Sequence, residues 1–100
     1  MKVNLQSVNF NVDQKLVNFT QNKLDKLENH YSKIIHADVF LKVMNTSGKE
    51  NKITEILLSV PGDEFITKKI NKSFEEGVDE CVNSLERQLK KRKEKMKAHI

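Results

Sequence analysis

The sequence predicts an α+β fold with the element order β-α-β-β-β-α, in which a four-stranded mixed sheet carries two helices packed on one face. Two kinds of periodicity support this prediction. Four segments alternate apolar and polar residues with period two, and two longer segments place apolar residues three or four positions apart. The third observation is length, because 100 residues suffice for one domain with one modest core.

The first strand is predicted over Lys2 to Phe10, where apolar and polar residues alternate. The alternation shifts by one residue at Val8, which indicates a bulge or the end of the strand. Asp13 is typical of a helix N-cap, and the first helix is predicted from there to about Tyr31. Its apolar stripe consists of Leu16, Phe19, Leu24, Leu27 and Tyr31.

Three strands follow, predicted over Ala37 to Val43, Lys52 to Val60 and Glu64 to Ile70. The turn signal Pro61-Gly62-Asp63 joins the last two as a hairpin. The first strand, first helix and second strand form a right-handed crossover, so these two strands are expected to be parallel and the others antiparallel. The final strand is rich in lysine, as an edge strand is. The core-facing set predicted for the third strand is Thr54, Ile56, Leu58 and Val60.

The last helix begins at Ser73-x-x-Glu76, which is the pattern of a capping box, and extends to about Lys97. Its apolar stripe consists of Phe74, Val78, Cys81, Val82, Leu85, Leu89 and Met96. Arg92 occupies the position at which the spacing of this stripe predicts another apolar residue. A helix docked along its whole length does not bury arginine, so the final turns are expected to project past the sheet.

Several classes of protein are excluded by composition and motif. The chain has no apolar run of about 18–20 residues, its first residues lack a signal-peptide core, and its one cysteine cannot form an internal disulfide. The three histidines lack metal-ligand spacing, Cys81 falls on an apolar stripe, and no P-loop, GxGxxG or CxxC motif occurs. The expectation is a cytoplasmic domain over residues 1–100 with no catalytic activity, metal, cofactor, small-molecule substrate or membrane partner.

The net charge of +4 is unevenly distributed. Residues 1–72 carry eleven lysines against eight acids, residues 73–86 carry five acids and no base, and residues 87–100 carry seven bases against Glu94 alone. Acids early and bases late complement the dipole of the last helix. The helix dipole does not account for seven bases within fourteen residues. Their density favours binding to a polyanion over the alternative of a solvated, lysine-rich surface.

Both predicted helices contribute to this basic surface. Helical phase places bases beside the apolar stripe of the first helix and opposite that of the last. The bases are Lys15, Lys23, Lys26 and Lys33 on the first helix and Arg87, Lys90, Lys91, Lys95 and Lys97 on the last. Rows from two adjacent helices can border a shared groove, and lysine and arginine at intervals on a rigid frame suit phosphates. Few aromatics are present for base stacking, so structured RNA is the favoured partner.

Several stretches resemble a known family, the short ribosome hibernation-promoting factors, also called the ribosome-associated inhibitor or sigma-54 modulation family. They are Lys23-Leu24-Asp25-Lys26-Leu27-Glu28, Val39-Phe40-Leu41-Lys42-Val43, and Val78-Asp79 followed by Ser84-Leu85-Glu86-Arg87-Gln88-Leu89-Lys90-Lys91-Arg92-Lys93. The run Leu-Glu-Arg-Gln-Leu-x-Lys after an Asp-bearing helical turn is the most specific of these. The resemblance covers essentially the whole chain.

The resemblance implies a stress and stationary-phase translation regulator that binds the small ribosomal subunit, as well as intact ribosomes, at the decoding channel. Carried over by motif, the residues expected to contact ribosomal RNA are Lys23, Lys26, Arg87, Lys90 and Lys91. Lys95 joins them by helical phase alone. Two alternatives stay open: a general structured-RNA module of double-stranded-RNA-binding-domain type, whose topology is related, and a protein-interaction domain whose basic helix docks on an acidic partner.

The chain departs from the family pattern at two places. Where many relatives have an aromatic residue followed by Ala-Ala before the Asp of the last helix, this chain has Glu75-Glu76-Gly77. Long members of the family continue into a second domain that pairs ribosomes, and the expectation for this chain is a single domain without that dimerisation domain.

Overall fold

The computed structural model describes residues 1–97, with side chains for residues 1–93. Its elements, in order, are β1 (Lys2–Val8), α1 (Gln14–His30), β2 (His36–Val43), β3 (Lys52–Val60), β4 (Asp63–Asn71) and α2 (Phe74–Lys97). The predicted α+β class, with four strands in a mixed sheet and two helices, is confirmed. Neither helix, within the described residues, has the length and apolar content needed to cross a membrane.

β1 is shorter than the strand predicted to reach Phe10. It ends at Val8, and the next residue, Asn9, has a φ of 69°. Asparagine is one of the few residues that adopt this left-handed conformation readily, and it breaks the extended backbone here. The shift in alternation at Val8 therefore marks the end of the strand, which was one of the two outcomes that the sequence left open.

The sheet has the strand order β1-β2-β3-β4. β1 pairs with β2 in parallel, and the β2–β3 and β3–β4 pairs are antiparallel, so the predicted strand directions and the edge position of the lysine-rich strand are both confirmed. It follows that β1, β2 and β4 run in one direction. Because each helix follows such a strand and returns over the same face of the sheet, α1 and α2 run parallel to each other. Near their starts, the Phe10 and Phe74 rings stack with centroids 4.7 Å apart.

The core lies between the two helices and one face of the sheet. Val39, Ile56 and Leu58 from the strands are fully buried together with Leu24 and Leu85 from the helices. The four residues of β3 that were predicted to face the core are all buried. Apart from Ser59, the buried positions of each strand share one parity, and the buried residues of both helices belong to the same core cluster, so both helices pack on this face.

The two predicted helix caps form to different extents. Asp13 accepts a hydrogen bond at 2.8 Å from the backbone N–H of Leu16, as an N-cap does. At the start of α2, the N–H of Glu76 donates to Ser73 Oγ at 3.2 Å. Among the described hydrogen bonds, the reciprocal bond from Ser73 N–H to the Glu76 carboxylate is not formed, so only half of the predicted capping box is present.

Cys81 is a buried core residue whose thiol is predicted to be unreactive. It has no exposed surface, its Sγ donates to the carbonyl oxygen of Thr54 at 3.6 Å, and burial raises its pKa from 9.0 to about 11. At pH 8 we expect a thiol-specific disulfide reagent to react at least about a hundredfold more slowly with the native protein than with the unfolded chain. The pKa of Cys81 is higher in the folded than in the unfolded chain. The contribution of the buried thiol to folding stability is therefore fully present below pH 9 and is lost as the pH rises towards 11.

That prediction is checked by following reagent uptake in buffer and in denaturant. Equal rates in the two conditions would contradict the burial of the thiol, and the absence of any loss of stability above pH 9 would contradict the raised pKa.

Candidate RNA interface

Lys23 lies between the two helices, where its charge is compensated. Its Nζ is 2.9 Å from Asp79 Oδ1 on α2 and 5.5 Å from the centre of the Phe19 ring on α1. The side chain is 32% exposed, so the ion pair is open to water and contributes at most about 1 kcal/mol to folding stability. A phosphate group can therefore compete with Asp79 for this ammonium group.

Lys26 follows Lys23 by three residues and lies on the same side of α1, towards α2. Its side chain is exposed, and it takes part in none of the ion pairs formed among the described side chains. α1 thus contributes two cations to its side that faces α2. Lys23 is paired with Asp79, and Lys26 has no ion-pair partner among the described side chains.

Three of the bases predicted on α2, namely Arg87, Lys90 and Lys91, are exposed, and they point in two directions. Asp79 marks the side of α2 that faces α1, because it pairs with Lys23. At about 100° per residue, Lys90 lies close to the line of Asp79, whereas Arg87 and Lys91 lie roughly 80° and 120° further round the helix. The structure therefore brings Lys90 to the α1 side and directs Arg87 and Lys91 away from it, so these bases do not form one row along a shared groove.

The bases of α2 also lie beyond the part of the helix that α1 covers. α1 ends at His30, seven residues after Lys23, whereas Lys90 comes eleven residues after Asp79. With the two helices parallel and Lys23 level with Asp79, Lys90 lies roughly 6 Å past the end of α1. The basic surface is thus concentrated where α2 extends alone.

The first half of α2 has the opposite charge. Its acids Glu75, Glu76, Asp79, Glu80 and Glu86 are exposed. Asp79 is held by Lys23, and Glu80 accepts a hydrogen bond at 2.7 Å from Asn71 on β4. Among the described residues, no group of three or more His, Cys, Asp or Glu side chains could hold a metal ion. A polyanion is therefore repelled from the start of α2 and attracted to its far end.

Arg92 has a structural partner that the sequence did not reveal. Its Nη2 donates to the carbonyl oxygen of Pro61 in the β3–β4 turn at 2.9 Å, and its Nε lies 3.5 Å from Oδ2 of Asp63, the first residue of β4. The half-buried Arg92 therefore fastens α2 to the end of the sheet and fixes the direction in which the basic end of the helix extends. Its place in the apolar stripe predicted a helix that has already left the sheet at this point, whereas the side chain contacts the end of the sheet.

Three further bases, Lys93, Lys95 and Lys97, lie on α2. Lys93 is exposed next to Arg92 and was not among the residues predicted to contact RNA, although it belongs to the same basic run. Lys95 and Lys97 lie within the helix, but their side chains are outside the residues whose side chains the structure describes. The predicted contributions of these two residues rest on helical phase alone.

A Ser-His-Asp cluster on the open face of the sheet lacks the geometry of a catalytic triad. His36 Nε2 is 3.3 Å from Ser59 Oγ and 3.4 Å from Asp38 Oδ2. A triad needs the serine and the aspartate on different ring nitrogens, because one nitrogen accepts the proton while the other is oriented by the carboxylate. Here both contacts use the same nitrogen, so this histidine is not oriented as a base for Ser59.

Known proteins share this fold and much of this sequence. The family described as Sigma 54 modulation protein / S30EA ribosomal protein matches residues 3–97. The ribosome hibernation promoting factor of Pseudomonas putida is 32% identical over 98 residues, which cover 98% of this chain and 92% of that protein. The protein of the same name from Salmonella typhimurium is 29% identical and is matched over its whole length, with 99% of this chain covered.

A solved structure shows the same fold. The chain superposes on a ribosomal subunit interface protein from Coxiella burnetii with a TM-score of 0.82, covering 93% of this chain and 98% of that one. The two sequences are 20% identical, so this likeness concerns the arrangement of the backbone.

Proposed function

Because the chain belongs to the Sigma 54 modulation protein / S30EA ribosomal protein family, as its sequence motifs predicted, we propose that it is a ribosome hibernation factor. In this role it binds ribosomes in the cytoplasm without catalysing a reaction. The finer part of the proposal is that the basic ends of α1 and α2 bind ribosomal RNA of the small subunit near the decoding channel, and that this represses translation in slow growth or stress.

The observation that carries the RNA-binding part is a cluster of exposed bases in the second half of α2. Arg87, Lys90, Lys91 and Lys93 are exposed, and none of them belongs to an ion pair formed among the described side chains. Like charges three or four residues apart on a helix repel, so these four bases on two turns of helix oppose one another in the folded protein. Phosphates neutralise them, and release of counterions then drives binding.

The surface suits structured RNA better than unpaired bases. Phe40 is the one aromatic ring among the exposed large hydrophobic side chains of the described chain, and it lies on the opposite face of the sheet. Stacking of single-stranded bases requires exposed rings beside the cations. Without them, recognition rests on the positions of the phosphates, which a folded ribosomal RNA fixes and a flexible strand does not.

The alternative of a general double-stranded-RNA-binding module is not favoured. Relatives matched over nearly their whole length carry names that refer to ribosomes. The likeness to a double-stranded-RNA-binding domain stays a prediction. The two hypotheses predict different binding preferences, because a hibernation factor binds ribosomes much more strongly than it binds free duplex RNA.

Sedimentation of the purified protein with ribosomes and with separated subunits through sucrose gradients tests the proposed function. We expect comigration with the small subunit and with intact ribosomes at low and at moderate salt, and no competition from an equal mass of naked duplex RNA. Protein that stays at the top of the gradient, or that spreads over every fraction containing RNA, would contradict a specific ribosomal site.

A further inference from the structure

The face of the sheet that the helices do not cover carries a cluster of apolar side chains. On β4, Ile66 is 60% exposed and Ile70 is 45% exposed, and the neighbouring strand β3 adds the half-buried Ile53 and Leu57. Isolated apolar residues are common on protein surfaces, whereas a group of exposed apolar side chains on one face of a sheet suits an interaction site. This surface, hereafter the β3–β4 patch, is separate from the basic helices on the other side of the sheet.

The register of the two strands gives the β3–β4 patch an ordered pattern. Glu55 on β3 lies opposite Lys68 on β4, between the apolar pair Leu57–Ile66 on one side and the apolar pair Ile53–Ile70 on the other. Glu55 and Lys68 lie opposite each other, but they are not among the ion pairs of 4.0 Å or less that the described side chains form. Both charges are therefore available to a partner that covers this surface.

We propose that the β3–β4 patch binds the same patch of a second copy of this chain, around a two-fold axis that runs parallel to the strands between β3 and β4. This axis places β3 of each copy over β4 of the other. Each Glu55 then faces Lys68 of the other copy, and each apolar pair faces its own counterpart. Sheets pack face to face with their strands within about 30° of each other, which this arrangement allows.

Electrostatics selects this axis over the other two-fold arrangement. An axis in the plane of the interface but perpendicular to the strands would set Glu55 against Glu55 and Lys68 against Lys68. Like charges in contact across an interface oppose association, whereas the proposed axis pairs opposite charges twice. The dimer leaves both pairs of helices facing outward, so it is independent of the proposed function.

The decisive experiment mixes two charge-reversed variants, Glu55→Lys and Lys68→Glu. We expect the wild-type protein to show a monomer–dimer equilibrium in sedimentation velocity at about 10–100 μM, as suits a small interface. Each variant alone sets two pairs of like charges across the interface, so its association is expected to weaken at least about tenfold. An equimolar mixture restores association, because the two introduced side chains face each other with opposite charges, and the native Lys68 of one variant faces the native Glu55 of the other.

Neither a repaired contact within one chain nor a general attraction between chains accounts for a dimer restored by mixing. In each variant, positions 55 and 68 of one chain carry charges of the same sign, and mixing does not change this. A contact within one chain therefore cannot explain why association recovers. The formal net charges change from +4 to +6 and +2, and two positively charged chains do not attract each other as a whole. Circular dichroism melts of each variant at low concentration verify that the chains are folded.

A pair of isoleucine variants then locates the interface. Ile66→Ser removes an apolar contact of the β3–β4 patch, whereas Ile35→Ser alters a residue of similar exposure, 57%, that lies ahead of β2 and outside the patch. We expect only Ile66→Ser to weaken the dimer, again about tenfold. A protein that remains monomeric up to about 1 mM, a dimer that Ile66→Ser leaves intact, or a mixture that does not associate would overturn the proposal.

Discussion

Replacement of Arg87, Lys90 and Lys91 together by Glu is expected to abolish comigration with ribosomes. Three phosphate contacts are lost and three repulsive ones are introduced, which should weaken binding by at least about a hundredfold at moderate salt. In the wild type, each contact contributes about one unit to the slope of log K against log salt, so any residual binding should show a slope smaller by about three. Binding titrations at several salt concentrations measure both quantities.

The folded state should tolerate these three changes. All three side chains are exposed, and exposed substitutions away from caps and networks alter the free energy of unfolding by about 0.5 kcal/mol or less each. A variant with Lys2, Lys42 and Lys49 changed to Glu is the matched control, because it alters the net charge equally at exposed positions away from both helices. If the control loses binding as well, net charge governs the interaction. If the α2 variant still binds, the RNA contact lies elsewhere.

Lys23 and Lys26 offer a graded version of the same test. Exchange of Lys23 for Ala also removes the partner of Asp79 and leaves a carboxylate facing the RNA, so it should weaken binding more than Lys26→Ala does. A larger effect of Lys26→Ala would show that the inter-helix side of α1 is not in contact with phosphate at Lys23.

Sequence periodicity, a turn signal and the rule for crossover connections together were sufficient for the elements, the strand pairing and the core. The alternation of Thr54, Ile56, Leu58 and Val60 predicted the buried face of β3, and the Pro61-Gly62-Asp63 turn fixed the following hairpin. These features are local, or depend on short connections with one favoured handedness. The end of β1 at Val8 was left open because a bulge and a strand end shift the alternation in the same way.

The contacts that shape the candidate interface could not be predicted in the same way. The Lys23–Asp79 pair depends on the rotation of each helix about its axis, and the contact of Arg92 with Pro61 joins residues 31 positions apart in sequence. A helical pattern shows which side of one helix is apolar, but it does not show which charges of two helices meet. The opposition of Glu55 and Lys68 likewise requires the strand register. The sequence predicted one groove lined by bases of both helices. The structure instead shows an ion pair between Lys23 and Asp79 at the contact of the two helices, and a separate group of exposed bases on α2.

The other large effect is expected at Gly77, where α2 packs closely against Thr54 of β3. A Cβ atom at this position would lie 2.2 Å from Thr54 Oγ1 and 3.0 Å from Thr54 Cβ, and Thr54 is fully buried in β3. Replacement of glycine by alanine within a helix normally gains up to about 1 kcal/mol of stability. Here the overlap reverses the sign, and we expect Gly77→Ala to lower the free energy of unfolding by about 2–3 kcal/mol. This corresponds to a Tm lower by roughly 10–20 °C.

Two further variants separate the overlap from any general effect of alanine. Gly48→Ala is the control, since the nearest atoms to its added Cβ, in Thr46, lie at 3.8 and 4.0 Å, and its stability should be unchanged. Thr54→Ala removes the hydroxyl oxygen that a Cβ at position 77 would overlap, and this oxygen has no hydrogen-bond partner in the described chain. In the Gly77→Ala background, Thr54→Ala should therefore restore part of the lost stability, a recovery limited by the Cβ at 3.0 Å. Equal effects of Thr54→Ala in both backgrounds would mean that the two residues do not interact. The absence of a side chain at Gly77 would then have another cause than the proximity of β3.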